Sequence, residues 1–191
     1  MKPFPLCCVA ALLSAAPVFS QAAVPAAKIL DGQLAGLEKQ FVPLVEAMPA
    51  GKLSFAPSNG EFKDVRTFAQ QAAHVSAVIA MVSASILGEK SPLDTGKDGN
   101  GPSFKAKADA VKYVKDSFAY AHRAMASLTN ENVFQQVPGP FGSPATRLSL
   151  ANIAVWHSFD HYGQMVVYLR MNGIVPPASR QYSGPGSRQK V

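Results

Sequence analysis

Apolar residues recur at helical spacing in four stretches of the chain, with no convincing strand alternation between them. The first stretch covers 27–47. Leu30, Leu34, Leu37, Phe41 and Leu44 return every three or four residues and make one apolar face. Pro43 is expected to bend this helix, because proline lacks an amide hydrogen and crowds the carbonyl four residues back. The second stretch covers 64–87, with Asp64 as N-cap and Gly88 as the stop. The third covers 104–128, capped by Ser103. Its core stripe is Phe104, Ala108, Val111, Val114, Phe118, Ala121, Met125 and Leu128. The fourth opens at Ser143-Pro144 and runs to Met171 or Asn172, where Gly173 and Pro176-Pro177 stop it. At about 1.5 Å per residue that is roughly 40 Å of helix. The pattern predicts an all-α fold, a four-helix bundle with a long last helix. The connection SPLDTGKDGNGPS lacks the ligand spacing of a calcium loop and reads as loop only. The Pro- and Gly-rich NENVFQQVPGPFGSPATR is long enough to serve as a lid over a site.

Composition alters this picture mainly at the N-terminus. Residues 1–23 combine Lys2, an apolar run from Leu6 to Phe19, and small residues at Ser20, Ala22 and Ala23. That is the layout of a secretory signal peptide. The expected organisation is a removed leader at 1–23, a bundle at 27–177 and a flexible polar tail at 178–191, in a protein that is exported and periplasmic or secreted. Cys7 and Cys8, the chain's 2 cysteines, leave with the leader. The mature chain then has no disulfide, thiolate nucleophile or cysteine ligand. The net charge of +6 is modest and spread out. With no basic stripe or recognised motif, nucleic acid is not expected as a partner. No segment after the leader reads as long and apolar enough for a bilayer, so no stable membrane insertion is expected once the leader is gone.

The candidate chemistry lies in AVWHSFDHYGQMVVYLR. His157 and His161 are four residues apart, which stacks their rings on one helical face about 6 Å apart at Cβ. Gln164 and Tyr168 fall within about 20° of His157 on the helical wheel, so the histidine face is also the core face. Two imidazoles so placed suit one divalent metal ion, and bundles build such sites from facing helices. The remaining histidines are His74, in the middle of the second helix, and His122, late in the third. Asp160 could orient a ligand imidazole or act as a base, and Gln164 could donate a hydrogen bond near the site. Several chemistries are excluded. Ser158 stands where a His-Glu-x2-His zinc protease has its glutamate, no Glu-x2-His pairs mark a di-iron bundle, and there is no nucleophile elbow or phosphate loop.

The stretch HSFDHYGQMVVYLRMNGIVPP resembles the last helix of the DinB/YfiT-like superfamily. The segment MPAGKLSFAPSNGEFKDVRTFAQQAAHVSA resembles that family's first-helix exit and second helix, ending on its first histidine. The likeness spans about residues 30 to 178, and departs at Pro43 and in the leader. It implies a four-helix bundle holding one divalent ion through His74, His157 and His161, with an open position for water or substrate. Zinc or nickel suits this ligand set best, and iron or manganese also fits. It further implies metal-dependent chemistry of the thiol-transferase or hydrolase type on a small molecule, and a homodimer. Export disfavours the transferase, because soluble thiol cofactors are chiefly cytoplasmic. The alternative is a non-catalytic metal- or small-ligand-binding protein of the cell envelope.

Overall fold

A computed structural model describes residues 24–58 and 60–180. The expected signal peptide and most of the expected tail lie outside these residues. Four long helices appear in chain order: α1 Ala26–Ala47, α2 Phe68–Leu87, α3 Lys107–Ala126 and α4 Arg147–Met171, followed by one turn, α5, at Pro177–Arg180. They form the predicted all-α four-helix bundle with the longest helix last. Each helix has two main neighbours: α1 and α2 both pack against α3 and α4. Consecutive helices α1 and α2 therefore sit diagonally, as do α3 and α4. Diagonal placement requires the chain to cross an end of the bundle, which accounts for the long connections at 48–67 and 127–146.

The core follows the apolar spacing. Leu30, Leu34, Leu37, Phe41 and Leu44 of α1 are all buried, and α1 continues through Pro43 as a single helix. Phe41 meets Phe118 of α3 with ring centroids 6.0 Å apart. The stripe expected for α3 holds at Val114, Phe118, Ala121, Met125 and Leu128 and departs at its N-terminal end. Ala110, Val114, Ser117, Phe118 and Ala121 are buried, whereas Ala108 faces solvent. α2 is apolar almost all round, and its length and composition meet the requirements of a membrane span, against expectation. It is the core helix of the bundle, with 72% of its most apolar window buried.

Helix starts differ from the sequence reading by a few residues, for local chemical reasons. α2 begins at a reciprocal capping box, where the Thr67 hydroxyl accepts from the Gln70 amide and the Gln70 side chain accepts from the Thr67 amide. Asp64 instead adopts left-handed φ (63°) in the turn before it. α3 starts after Ala106, whose amide donates to Asp109, not at Ser103. Thr146 caps α4 through the Ser149 amide, so Ser143 and Pro144 lie outside it. Residues 136–137 and 145–146 pair as a small antiparallel ladder. The stops at Gly88 (φ 69°) and Gly173 (φ 73°) are as expected. The expected tail begins within α5, where Arg170 donates to the Ser179 hydroxyl and Arg180 to the Val175 carbonyl.

His122 marks the contact between α3 and α1. Its Nδ1 lies 2.5 Å from Asp31 and its Nε2 3.1 Å from Glu38, two turns apart on α1. Burial pulls its pKa down, but hydrogen bonds to the two carboxylates outweigh burial and leave it raised. Both ring nitrogens face acceptors, and only the imidazolium can donate to both. A raised folded-state pKa stabilises the fold below the ordinary histidine range, and this contribution disappears as pH rises through the folded value. His122→Ala should therefore lower the melting temperature more at about pH 5.5 than at about pH 8.5. An equal loss at both values would show that the pair is not an ionic clamp.

Candidate metal centre

His74 projects from the second turn of α2, and His157 and His161 from adjacent turns of α4. Because α2 and α4 are packed neighbours, the three rings converge. Ring centroids are 5.1 Å apart for His74–His157, 4.9 Å for His74–His161 and 4.6 Å for His157–His161. One nitrogen from each lies within 4.8 Å of the others. Two nitrogens on one zinc-sized ion are at most about 4.2 Å apart, so a small contraction would bring all three onto it. His161 is buried, and His74 and His157 are half-buried.

Surrounding groups set which nitrogens can act as ligands. The His74 Nδ1–H donates to the Gly99 carbonyl at 2.7 Å, leaving Nε2 with a lone pair. For His161 the assignment follows from a chain of amides. The Asp160 carboxylate only accepts, so the Gln164 amino group must face it, at 3.2 Å. The Gln164 oxygen then accepts from the Gln71 amino group at 3.0 Å. The Gln71 oxygen is thereby turned to His161 Nδ1, which must donate. Nε2 of His161 is again the free lone pair. His157 differs, because its Nδ1 is buried with no partner among the described residues. Two preset imidazoles and one buried unsatisfied nitrogen make a donor set that suits a divalent ion.

The electrostatics point the same way. Burial lowers the pKa of all three rings, most strongly at His157 and His161, which fall to about 4. The neighbouring imidazoles lower the latter two further, and Arg66 lowers all three, against an opposing contribution from Asp160 at His157 and His161. Neutral imidazole is the ligating form, so the cluster is ready for a cation near pH 7 without releasing protons.

Of the residues singled out in the sequence, His74, His157 and His161 meet, and Asp160 and Gln164 belong to the chain of amides behind them. His122 faces α1 instead. Tyr168 is buried against Phe55, and its hydroxyl donates to the Arg66 carbonyl at 3.1 Å. Ser158 bonds back to the Ala154 carbonyl within its own helix.

The connection at 130–147, read as a possible lid, does not cover the histidines. Arg147 at its end donates to the Ile86 carbonyl, about 15–21 Å along the helices from the imidazoles at 1.5 Å per residue. The segment that does touch the site is the α2–α3 connection, which sequence reading took as plain loop. Gly99 holds His74, and Asn100 accepts from Arg66 at 2.9 Å. Gly101 (φ 70°) lies so close to α2 that an added Cβ would stand 2.6 Å from the Ala73 carbonyl oxygen. The Gly-Asn-Gly run was the available signal, and Gln71 was visible one turn before His74. Gly101→Ala should lift this loop from α2, costing about 1–3 kcal/mol in thermal unfolding and loosening the His74 hydrogen bond as seen by NMR of its ring. Unchanged melting would refute the close approach.

A family model described as the DinB superfamily matches residues 33–165. Among solved structures, the chain is similar to a DinB-like protein from Bacillus cereus, with TM-score 0.61 and 17% identity over 77% of this chain and 95% of that one. It is also similar to a DinB-like protein from Bacillus subtilis, YjoA, with TM-score 0.60 and 15% identity over 85% and 99%. At these identities the two structures show the shared fold. No curated protein matches the chain.

Proposed function

The chain belongs to the DinB superfamily, and on that premise we propose that His74, His157 and His161 hold one divalent metal ion in the service of a metal-dependent enzyme acting on a small molecule. The carrying observation is the convergence of the three imidazoles, with two tautomers set so that a lone pair is presented by His74 and by His161. Zinc or nickel fits neutral nitrogen ligands best, and iron or manganese is also compatible. Such an ion supplies Lewis acidity, lowering the pKa of a bound water or thiol.

The protein's own groups contribute orientation. Gly99 and Gln71 hold the rings of His74 and His161, and Asp160 anchors the amide chain from the solvent side. The chain's cysteines are confined to positions 7 and 8, so a thiol transferase would need a thiol cosubstrate. If residues 1–23 direct export, as their layout suggests, the periplasm or exterior is poor in such thiols, and the hydrolytic reading is favoured. A non-catalytic envelope protein that binds metal or a small ligand is the second reading. It draws support from the engagement of Asp160 with Gln164, which ties that carboxylate to orienting the amide chain.

Natively purified protein should contain one divalent ion per chain by elemental analysis. His157→Ala and His161→Ala should lose it while keeping helical circular dichroism. A metal-free wild type that also fails to take up zinc or nickel in titration would sink the proposal. Gln71→Leu keeps all three imidazoles but releases His161 Nδ1, and should weaken metal affinity about 10- to 100-fold by titration calorimetry. Turnover of ester, amide or thiol-transfer substrates that disappears with His157 separates the enzyme from the binding protein.

A further inference from the structure

A cavity of about 470 Å³ lies against the amide chain that orients His161, within the range typical of small-molecule sites. Gln71 and Gln164 form part of its wall, and the same two amides carry the chain that orients His161. The cavity and the imidazole cluster therefore share a boundary. Gln70 and Asn100 add two more amides, and the one cation in the wall is Arg66.

Arg66 is held in place at both ends. Its carbonyl accepts from the buried Tyr168 hydroxyl, and its residue immediately precedes the Thr67 capping box of α2. Its guanidinium donates through Nη2 to the Asn100 side chain, which is itself tied to the Lys97 carbonyl at 3.0 Å. That partner is neutral. Among the described residues Arg66 makes no ion pair, although Asp64 lies in the same wall. Arg123, elsewhere on the bundle, is matched by Glu89 at 2.5 Å. A guanidinium has five N–H donors, and a half-buried one without a counter-ion favours an anion. The positive charge of Arg66 also lowers the pKa of all three imidazoles, so the guanidinium acts on the cluster through space.

We propose that Arg66 is the specificity-determining residue of the site, binding a carboxylate of a small substrate through its guanidinium while the wall amides of Gln70, Gln71, Asn100 and Gln164 take the polar remainder. The planar fork of a guanidinium matches the two oxygens of a carboxylate. With one cation in a wall that also carries the Asp64 carboxylate, a monoanionic group is balanced better than a phosphate dianion. This assignment rests on the reading of the histidines as the reaction centre, but its test does not.

Titration calorimetry with succinate and with uncharged succinamide, on zinc-loaded and on metal-free protein, decides it. Wild type should prefer succinate in at least one of these forms. Arg66→Gln should reduce that succinate affinity at least about tenfold while leaving zinc stoichiometry and melting temperature near wild type. Arg66→Lys, which keeps the charge and loses the fork, should fall between them. Equal succinate binding in wild type and Arg66→Gln overturns the proposal, and so does a wild type that does not distinguish the two probes. If zinc fails to bind but metal-free protein retains an Arg66-dependent preference for succinate, the metal proposal falls and the carboxylate site stands.

Discussion

The hydrogen-bonded chain from Asp160 through Gln164 and Gln71 to His161 crosses from α4 to α2, and the candidate site depends on it. A primary amide donates at one end and accepts at the other, so one carboxylate at the rim dictates the orientation of every group behind it. The result is a defined tautomer at a buried imidazole. His74 reaches the same state by a shorter route, through the Gly99 carbonyl. The first route requires α2 and α4 to be side by side, and the second requires the α2–α3 connection to lie against α2.

Histidine serves two opposite purposes in this bundle, and its neighbours decide which. His122 sits between two carboxylates on α1 and is held toward its charged form. The three histidines between α2 and α4 are desolvated, lie beside one another within reach of the Arg66 charge, and are held neutral. The first arrangement stabilises a helix contact. The second stores no charge of its own and leaves lone pairs turned into a shared space, which is the condition a cation requires.

Close approach of loop to helix is the other requirement. The run Gly99-Asn100-Gly101 lies on α2 because Gly101 has no Cβ to strike the Ala73 carbonyl. Contact at that distance lets one short segment serve two partners, His74 through its backbone and Arg66 through the Asn100 side chain. The opposite connection, though longer and richer in proline, docks at the far end of α2 through Arg147 and leaves the histidines untouched.

The helix faces, the long last helix and the His157–His161 pair were legible in the sequence, because each depends on spacing within one helix. Both glycine stops were legible for the same reason. The capping box Thr67–Gln70 was equally local, yet Asp64 was the more obvious cap. The choice of His74 over His122 came from likeness to a family, since both lie toward inward faces of their own helices. Only the tertiary structure separates them: α2 is packed beside α4, whereas α3 lies diagonally across from it and turns His122 to α1. The same packing brought Arg66, Asn100 and Gln71 to the site from positions that no periodicity connects. Spacing along a helix is covalent and survives any packing, whereas a partner on another helix exists only once the order of helices around the core is fixed.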